Sequence, residues 1–305
     1  MTVATTMMGY SMSKTITAAA VLRLVQQQKV ALDAPVTDYV GSLPYDAPIT
    51  IRHLLTHTSG IPNPIPLRWV HLAHDHDRFD EAAAFAAVLA AHPRLRFEPG
   101  SKYAYSNIGY WILGRVIERV AGQPFTSYVT SHVLQPIGAS REELGYAIAD
   151  AHCHATGYLE KYSIMNLAKR FLVAPEFIGT YAGRWLEIRS HYLNGPAFGG
   201  LVGTARGFAM FLQDQLAPRS AIFDEPTRRL FFETQRTADG SPIPMTLAWH
   251  VGSGNGRRFF FKEGGGGGFH CLMRVYPDHG VGSTVLTNAT AFDVHACLDA
   301  LDPVR

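Results

Sequence analysis

Ser11 and Lys14 are spaced so that a lysine amine could activate a serine hydroxyl. The residues that follow are helix formers, so a helix is predicted to begin near Ser11, with Lys14 one turn further on the same face. A serine hydroxyl is a weak nucleophile near neutral pH, and a lysine can serve as its base when burial or another cation lowers the lysine pKa. Because Ser-x-x-Lys occurs by chance in many chains, this pair alone identifies no function.

Two further segments carry residue types suited to the same chemistry. Tyr105 and Asn107 stand at the start of a predicted helix, where a phenol could relay a proton and an amide could orient a substrate carbonyl. Lys262 ends a predicted strand and leads into the glycine run at residues 264–268. Glycines at such a place let a substrate approach backbone N–H groups that stabilise an oxyanion, and a second lysine would lower the pKa of the first.

These three elements resemble the S-x-x-K, Y-x-N and K-T-G motifs of class C β-lactamases, D,D-peptidases and family VIII carboxylesterases, and they occur in the same order. Three other segments are similar to further stretches of that superfamily: residues 49–60 (ITIRHLLTHTSG), 97–100 (FEPG) and 199–205 (GGLVGTA). The likeness runs from about Thr5 to about Asn288. The combination is far more specific than any single motif in it.

The resemblance implies catalytic roles for four residues. Ser11 would be acylated, and Lys14 and Tyr105 would share the proton transfers, with either of them as the base. Lys262 would complete the cationic cluster. These roles define acyl transfer to a serine.

The resemblance also implies a substrate-binding set. Asn107 would contact the substrate, and the backbone N–H groups of Ser11 and Gly265 would form the oxyanion hole, with Gly264 beside them. His270 follows the glycine run and is expected to line the site.

Two features depart from the family pattern. Glu263 stands where these enzymes usually carry a Thr or Ser hydroxyl, and its charge would repel anionic β-lactams and D-alanyl peptides. In a regular strand Lys262 and Glu263 should point to opposite faces, which would moderate that repulsion. Only ten residues precede Ser11, whereas relatives carry a helix and two strands there, so N-terminal strands are expected to be missing and a sheet edge to be exposed.

Hydrophobic periodicity sets out the elements that must position these residues. Helices are predicted at residues 13–28, 49–56, 80–91, 107–121, 124–134, 204–216 and 292–301, and strands at 246–251, 258–262, 269–276 and 282–287. This order implies an α+β fold of the β-lactamase/transpeptidase type, with an antiparallel sheet flanked by helices and a helical subdomain. We expect one catalytic domain over 1–305, helical at about 11–216 and sheet-forming at about 245–305.

Composition excludes several other classes. The net charge is +2 without any dense basic run, which disfavours a nucleic-acid partner. The three cysteines lack metal-site spacing and the histidines at 71, 74 and 76 lie in a predicted surface loop, so we expect neither a metal nor a cofactor. No apolar run approaches the roughly 18 residues that span a bilayer. The sequence as written indicates a cytoplasmic protein, or a periplasmic or secreted one if a leader precedes it.

The sequence therefore predicts a serine hydrolase that forms an acyl-enzyme on a small ester or amide, and Glu263 tilts the prediction toward a carboxylesterase. A β-lactamase or D,D-peptidase is an alternative that uses the same chemistry. A non-catalytic binding protein on the same scaffold is an alternative of another class, which the short N-terminus favours. The expected sheet edge also predicts self-association into a homo-oligomer.

Overall fold

Helix α1 (Ser13–Gln26) runs through the centre of the molecule. The computed structural model describes residues 1–64, 69–163, 166–167, 174–254 and 256–303. Every residue from Ser13 to Leu22 is buried, and a helix buried on all sides belongs to a core rather than to a surface. Lys14 is among these residues, so its amine is held inside the protein from the outset.

Helix α5 (Asn107–Ala121) packs against α1 and begins and ends at the predicted residues. The Ser106 side chain accepts a hydrogen bond from the Gly109 N–H at 3.2 Å, and Gly122 ends the helix with a left-handed φ of 67°. Other helices are α2 (Thr37–Val40), α3 (Ile51–Leu55), α4 (Glu81–Ala91), α6 (Phe125–Val129), α7 (Pro196–Gly199), α8 (Ala205–Leu216), α9 (Glu225–Phe232) and α10 (Val294–Leu301).

The main sheet consists of β9 (His250–Gly254), β10 (Arg257–Gly266), β11 (Phe269–Tyr276) and β12 (Val281–Thr287). It is antiparallel and has the order β12–β11–β10–β9. Leu272 faces α10 and packs against Val294 and Leu298 on one side of the sheet, while Phe260 and Met273 belong to the central core on the other. The predicted α+β architecture, an antiparallel sheet flanked by helices, is thereby confirmed.

Two of these strands have bounds that differ from the prediction by more than one residue. A strand was predicted at residues 246–251, but the Thr246 N–H donates to the Trp249 carbonyl at 2.8 Å in a turn, and β9 begins at His250. Strand β10 continues through Glu263 to Gly266, whereas the prediction ended it at Lys262. Its glycines remain in the ladder because they pair with the first residues of β11.

Short strands outside the main sheet were not predicted, because runs of two to five residues carry little periodicity. They form three small sheets, and in one of them β1 (Met7–Met8) pairs with β8 (Val202–Gly203) and leads directly into Ser11. The strands are β1 (Met7–Met8), β2 (Val70–Leu72), β3 (Leu144–Gly145), β4 (Gly157–Glu160), β5 (Ile178–Ala182), β6 (Trp185–Ile188), β7 (His191–Leu193) and β8 (Val202–Gly203). Across the described residues, none of the helices is long and apolar enough to cross a bilayer.

Candidate active site

Ser11 lies in a tight turn between strand β1 and helix α1. The Gly9 N–H donates to the Leu201 carbonyl at 2.8 Å, and the Met12 N–H donates back to the Gly9 carbonyl at 3.0 Å. Between them Tyr10 adopts a φ of 43°, a left-handed conformation that is strained for a bulky residue. Ser11 is therefore fixed by backbone hydrogen bonds on its N-terminal side and by the central helix on the other.

The structure brings Ser11, Lys14 and Tyr105 together, as the sequence predicted. The Lys14 Nζ donates to the Ser11 Oγ at 3.0 Å and to the Phe198 carbonyl at 2.6 Å. The Tyr105 hydroxyl donates to the same Ser11 Oγ at 2.7 Å. The serine oxygen thus contacts two groups that can exchange protons with it.

Burial and charge separate the proton affinities of these two groups. Burial, and after it the positive charge of Lys262, hold the pKa of Lys14 well below 10.5. Burial raises the pKa of the Tyr105 phenol above its ordinary value of 10.0. The Lys14 ammonium therefore loses its proton more readily than a free lysine, and the Tyr105 phenol holds its proton more tightly than a free tyrosine.

Lys262 supplies the second cation of the cluster. Its amine lies 5.4 Å from the centroid of the Tyr105 ring and finds no hydrogen-bond partner among the described residues. Burial lowers the pKa of Lys262 to about 7. Its position beside Lys14 and Tyr105 is the one predicted from the sequence.

Glu263 points away from Lys262, as the pleat of a strand requires. Its carboxylate accepts hydrogen bonds from His270 at 2.6 Å and from His295 at 3.2 Å. The hydrogen bond from His270 is the largest cause that lowers the pKa of Glu263 to about 2. The Glu263 side chain is nevertheless 41% exposed, and Glu263 is one of the residues that line the cavity beside Ser11.

A cavity of about 410 Å³ opens at Ser11. The sequence predicted five of its lining residues, but it did not indicate the other four, which come from separate parts of the chain. For Phe198 the only sequence pattern that pointed to the site was the Gly199-Gly200 segment that follows it. No sequence pattern indicated His250. The predicted members are Ser11, Tyr105, Asn107, Glu263 and Gly265, and the others are Tyr10, Leu193, Phe198 and His250.

His270 and Gly264 lie elsewhere than expected. His270 does not line the cavity in the described part of the chain, because its two ring nitrogens bond the Phe292 carbonyl and Glu263 on the far face of the sheet. Gly264 is buried against the turn that carries Ser11, where a Cβ would lie 2.1 Å from the Gly9 carbonyl oxygen. Gly265 is the exposed glycine at the cavity, so its backbone is the one a substrate can approach.

The chain matches the family model described as Beta-lactamase over residues 1–302. It is 36% identical to Esterase EstB of Burkholderia gladioli over 48% of this chain and 40% of that one. It is 24% identical to Penicillin-binding protein 4* of Bacillus subtilis over 88% of this chain and 57% of that one, so it spans about half the length of these relatives or less.

A solved structure shares the fold. The D-amino acid amidase of Ochrobactrum anthropi SV3, complexed with L-phenylalanine, superposes with a TM-score of 0.77 at 20% identity, covering 96% of this chain and 80% of that one. Together with the match over residues 1–302, the helices and the antiparallel sheet identify the protein as a member of the β-lactamase family.

Proposed function

We propose that this protein is a serine hydrolase that acts through an acyl-enzyme at Ser11 on small esters or amides, with carboxylesterase-like substrates preferred. One observation carries the proposal: the Ser11 Oγ lies 3.0 Å from the Lys14 Nζ and 2.7 Å from the Tyr105 hydroxyl, at the end of an open cavity. A serine so placed has both a base and an acid within reach.

In acylation, neutral Lys14 accepts the Ser11 proton as the Oγ forms a bond to the substrate carbonyl carbon. The lowered pKa of Lys14 and the raised pKa of Tyr105 make the lysine the base and the tyrosine the acid. The oxyanion of the tetrahedral intermediate lies near the backbone N–H groups of Ser11 and Gly265. When the bond to the leaving group breaks, Tyr105 protonates that group and recovers a proton from the lysine ammonium.

Deacylation runs the same steps with water in place of the alcohol or amine. Lys14 accepts a proton from the water, the hydroxide oxygen bonds to the acyl carbon, and the Ser11 Oγ leaves with a proton from Tyr105. Asn107 lies at the cavity and is placed to contact the acyl carbonyl. The products are the free acid and unmodified Ser11.

The preference for esters over β-lactams depends on charge. Glu263 is one of the residues that line the cavity, so its carboxylate adds a negative charge close to where a β-lactam would bring a second one. The similarity to an esterase supports the same preference, while the amidase fold and the penicillin-binding relative keep amides and β-lactams in the substrate panel.

Covalent labelling tests the proposal. A fluorophosphonate probe should add one label, and mass spectrometry of the digested protein should place it on the peptide that contains Ser11. Ser11→Ala should remove the label and turnover of p-nitrophenyl acetate and butyrate, while the control Ser101→Ala, at an exposed serine outside the cavity, should change neither. Labelling that survives Ser11→Ala would show that another residue is the nucleophile, and a folded wild-type protein without labelling or turnover would favour the non-catalytic alternative.

A further inference from the structure

His57 holds the backbone on both sides of Tyr105. Its carbonyl oxygen accepts the Ala104 N–H at 2.8 Å, and its Nδ1 accepts the Ser106 N–H at 3.1 Å. Its ring also packs on the Tyr105 ring, with centroids 4.3 Å apart and planes 33° from parallel. His57 thus holds the two chain neighbours of Tyr105 by hydrogen bonds to their N–H groups, and it contacts Tyr105 itself through the rings.

The conformation of His57 is unusual and fixed. Its φ is 58°, in the left-handed region, and its side chain is fully buried. Such a conformation costs a non-glycine residue on the order of 1–3 kcal/mol and persists only where the surroundings impose it. Gln28 has the same φ of 58° in the exposed turn that follows α1, outside the residues that line the cavity, and so provides a matched control.

The protonation state of His57 suits a hydrogen-bond acceptor. Because a backbone N–H points at Nδ1, that nitrogen carries no proton. Burial, followed by the charges of Lys262 and Lys14, holds the pKa of His57 well below 6.5, so the acceptor persists through the neutral range. The proton then sits on Nε2, which has no hydrogen-bond partner among the described residues. His57 is also absent from the residues that line the cavity in the described chain, so it can influence the reaction only through its neighbours.

We propose that His57 is a positioning residue for Tyr105: it fixes the backbone on either side of the tyrosine and so keeps the phenol at 2.7 Å from the Ser11 Oγ. The inference rests on the proposed function, because the distance matters only if Tyr105 transfers a proton to or from Ser11. A displacement of about 1 Å at such a contact can cost on the order of 100-fold in rate.

Two substitutions separate the hydrogen bond from the backbone conformation. Glycine and asparagine both accept a positive φ, but only asparagine keeps a side-chain acceptor for the Ser106 N–H. His57→Gly should lower kcat for p-nitrophenyl butyrate at least about tenfold with little change in KM, whereas His57→Asn should stay within about threefold of the wild type. Gln28→Gly reports what a glycine at this φ does to the melting temperature and should leave kcat unchanged.

A double-mutant cycle on kcat distinguishes a role through Tyr105 from a general effect on the stability of the fold. If His57 acts through Tyr105, His57→Gly should cause no further loss of kcat in a Tyr105→Phe background. Additive losses, or a folded His57→Gly with the wild-type kcat, would overturn the inference. If His57→Gly does not fold, His57→Asn decides alone, since a loss of more than tenfold in that folded variant contradicts the role of the acceptor. Wild-type protein that is not labelled at Ser11 would instead overturn the proposed function, and this inference with it.

Discussion

Lys262 and Glu263 are neighbours in strand β10, yet their charged groups lie on opposite faces of the sheet. The amine of Lys262 is buried beside the ring of Tyr105, while the carboxylate of Glu263 lies between His270 and His295. The net charge that Glu263 and His270 together present to a substrate therefore depends on the protonation of His270. The repulsion of β-lactams that the sequence predicts should therefore change with pH.

The first prediction concerns that pH dependence. The hydrogen bond to Glu263 is the largest cause that raises the pKa of His270 above 6.5, so the pair is neutral overall below that pKa and carries a negative charge above it. The ratio of kcat/KM for p-nitrophenyl butyrate to that for nitrocefin should rise as pH increases through that pKa. The change should be about fivefold, as expected for about 1 kcal/mol.

The matched control for this prediction is Glu263→Thr. It should raise nitrocefin turnover, leave ester turnover nearly unchanged and flatten the pH dependence of the ratio, whereas Glu142→Gln, at an exposed surface pair with Arg141, should leave it as in the wild type. If Glu263→Thr leaves the ratio and its pH profile unaltered, Glu263 does not govern substrate charge.

The second prediction concerns the base. The positive charge of Lys262 lowers the pKa of Lys14, so Lys262→Met should raise that pKa. The acidic limb of the kcat/KM profile should then move to higher pH by about one unit, in addition to any loss of the maximal rate. Stopped assays from pH 5 to 10 measure the limb, with Lys102→Met at an exposed position as the charge control. If the acidic limb of the kcat/KM profile lies at the same pH in Lys262→Met as in Lys102→Met, Lys14 is not the group that titrates.

The third prediction is that Lys262 destabilises the fold. Its pKa is about 7 in the folded state and 10.5 in the unfolded chain, so between these values the unfolded chain binds more protons and the stability of the wild type rises with pH. Lys262→Met should therefore raise the melting temperature by about 3 °C or more at pH 6, with a smaller gain at pH 10. Calorimetry at both pH values tests this prediction. An equal rise in melting temperature at pH 6 and at pH 10 would contradict the argument from the charge of Lys262.

The fourth prediction compares two adjacent glycines. A Cβ at Gly264 would lie 2.1 Å from the Gly9 carbonyl oxygen, a backbone atom that cannot move without shifting Ser11, whereas the nearest atom to a Cβ at Gly265 is 3.5 Å away in the His270 ring. Gly264→Ala should lower the melting temperature by several degrees, and Gly265→Ala by about 1 °C or less. Equal melting temperatures would show that the turn at Ser11 yields easily.

The fifth prediction is self-association. Within the described residues β12 forms a ladder with β11 and with no strand on its other side. An open edge of this kind pairs readily with another chain, so light scattering should show a mass that increases between about 1 and 100 μM protein. A constant monomer mass across that range would contradict the prediction.

The elements that the sequence predicted well carry strong local signals. Helix α5 combines an apolar stripe with a serine cap and a terminal glycine, and both ends were predicted correctly. The end of β10 was not predicted, because glycines disfavour strands. The reason for one of these glycines, Gly264, is the close approach of the Gly9 carbonyl, which is distant in sequence and which no local pattern reveals.

The candidate site divides in the same way. Ser11, Lys14 and Tyr105 could be predicted because their spacing has a chemical meaning and a family resemblance supports it. Leu193 and His250 could not, since each reaches the cavity from a strand whose own pattern says nothing about what it faces. The position of His270 was also missed, because the direction of its ring depends on Glu263 and on the Phe292 carbonyl.

The hydrogen bond from Lys14 to the Phe198 carbonyl sets the orientation of the amine lone pair. A neutral amine has two N–H bonds and one lone pair, and the carbonyl at 2.6 Å accepts one N–H in either protonation state, which restricts rotation about the last carbon–nitrogen bond. Phe198 also forms part of the cavity wall. If Lys14 is the base of the proposed reaction, an acyl group too large for the cavity would displace the residue that orients its lone pair. Acyl size would then lower kcat rather than raise KM.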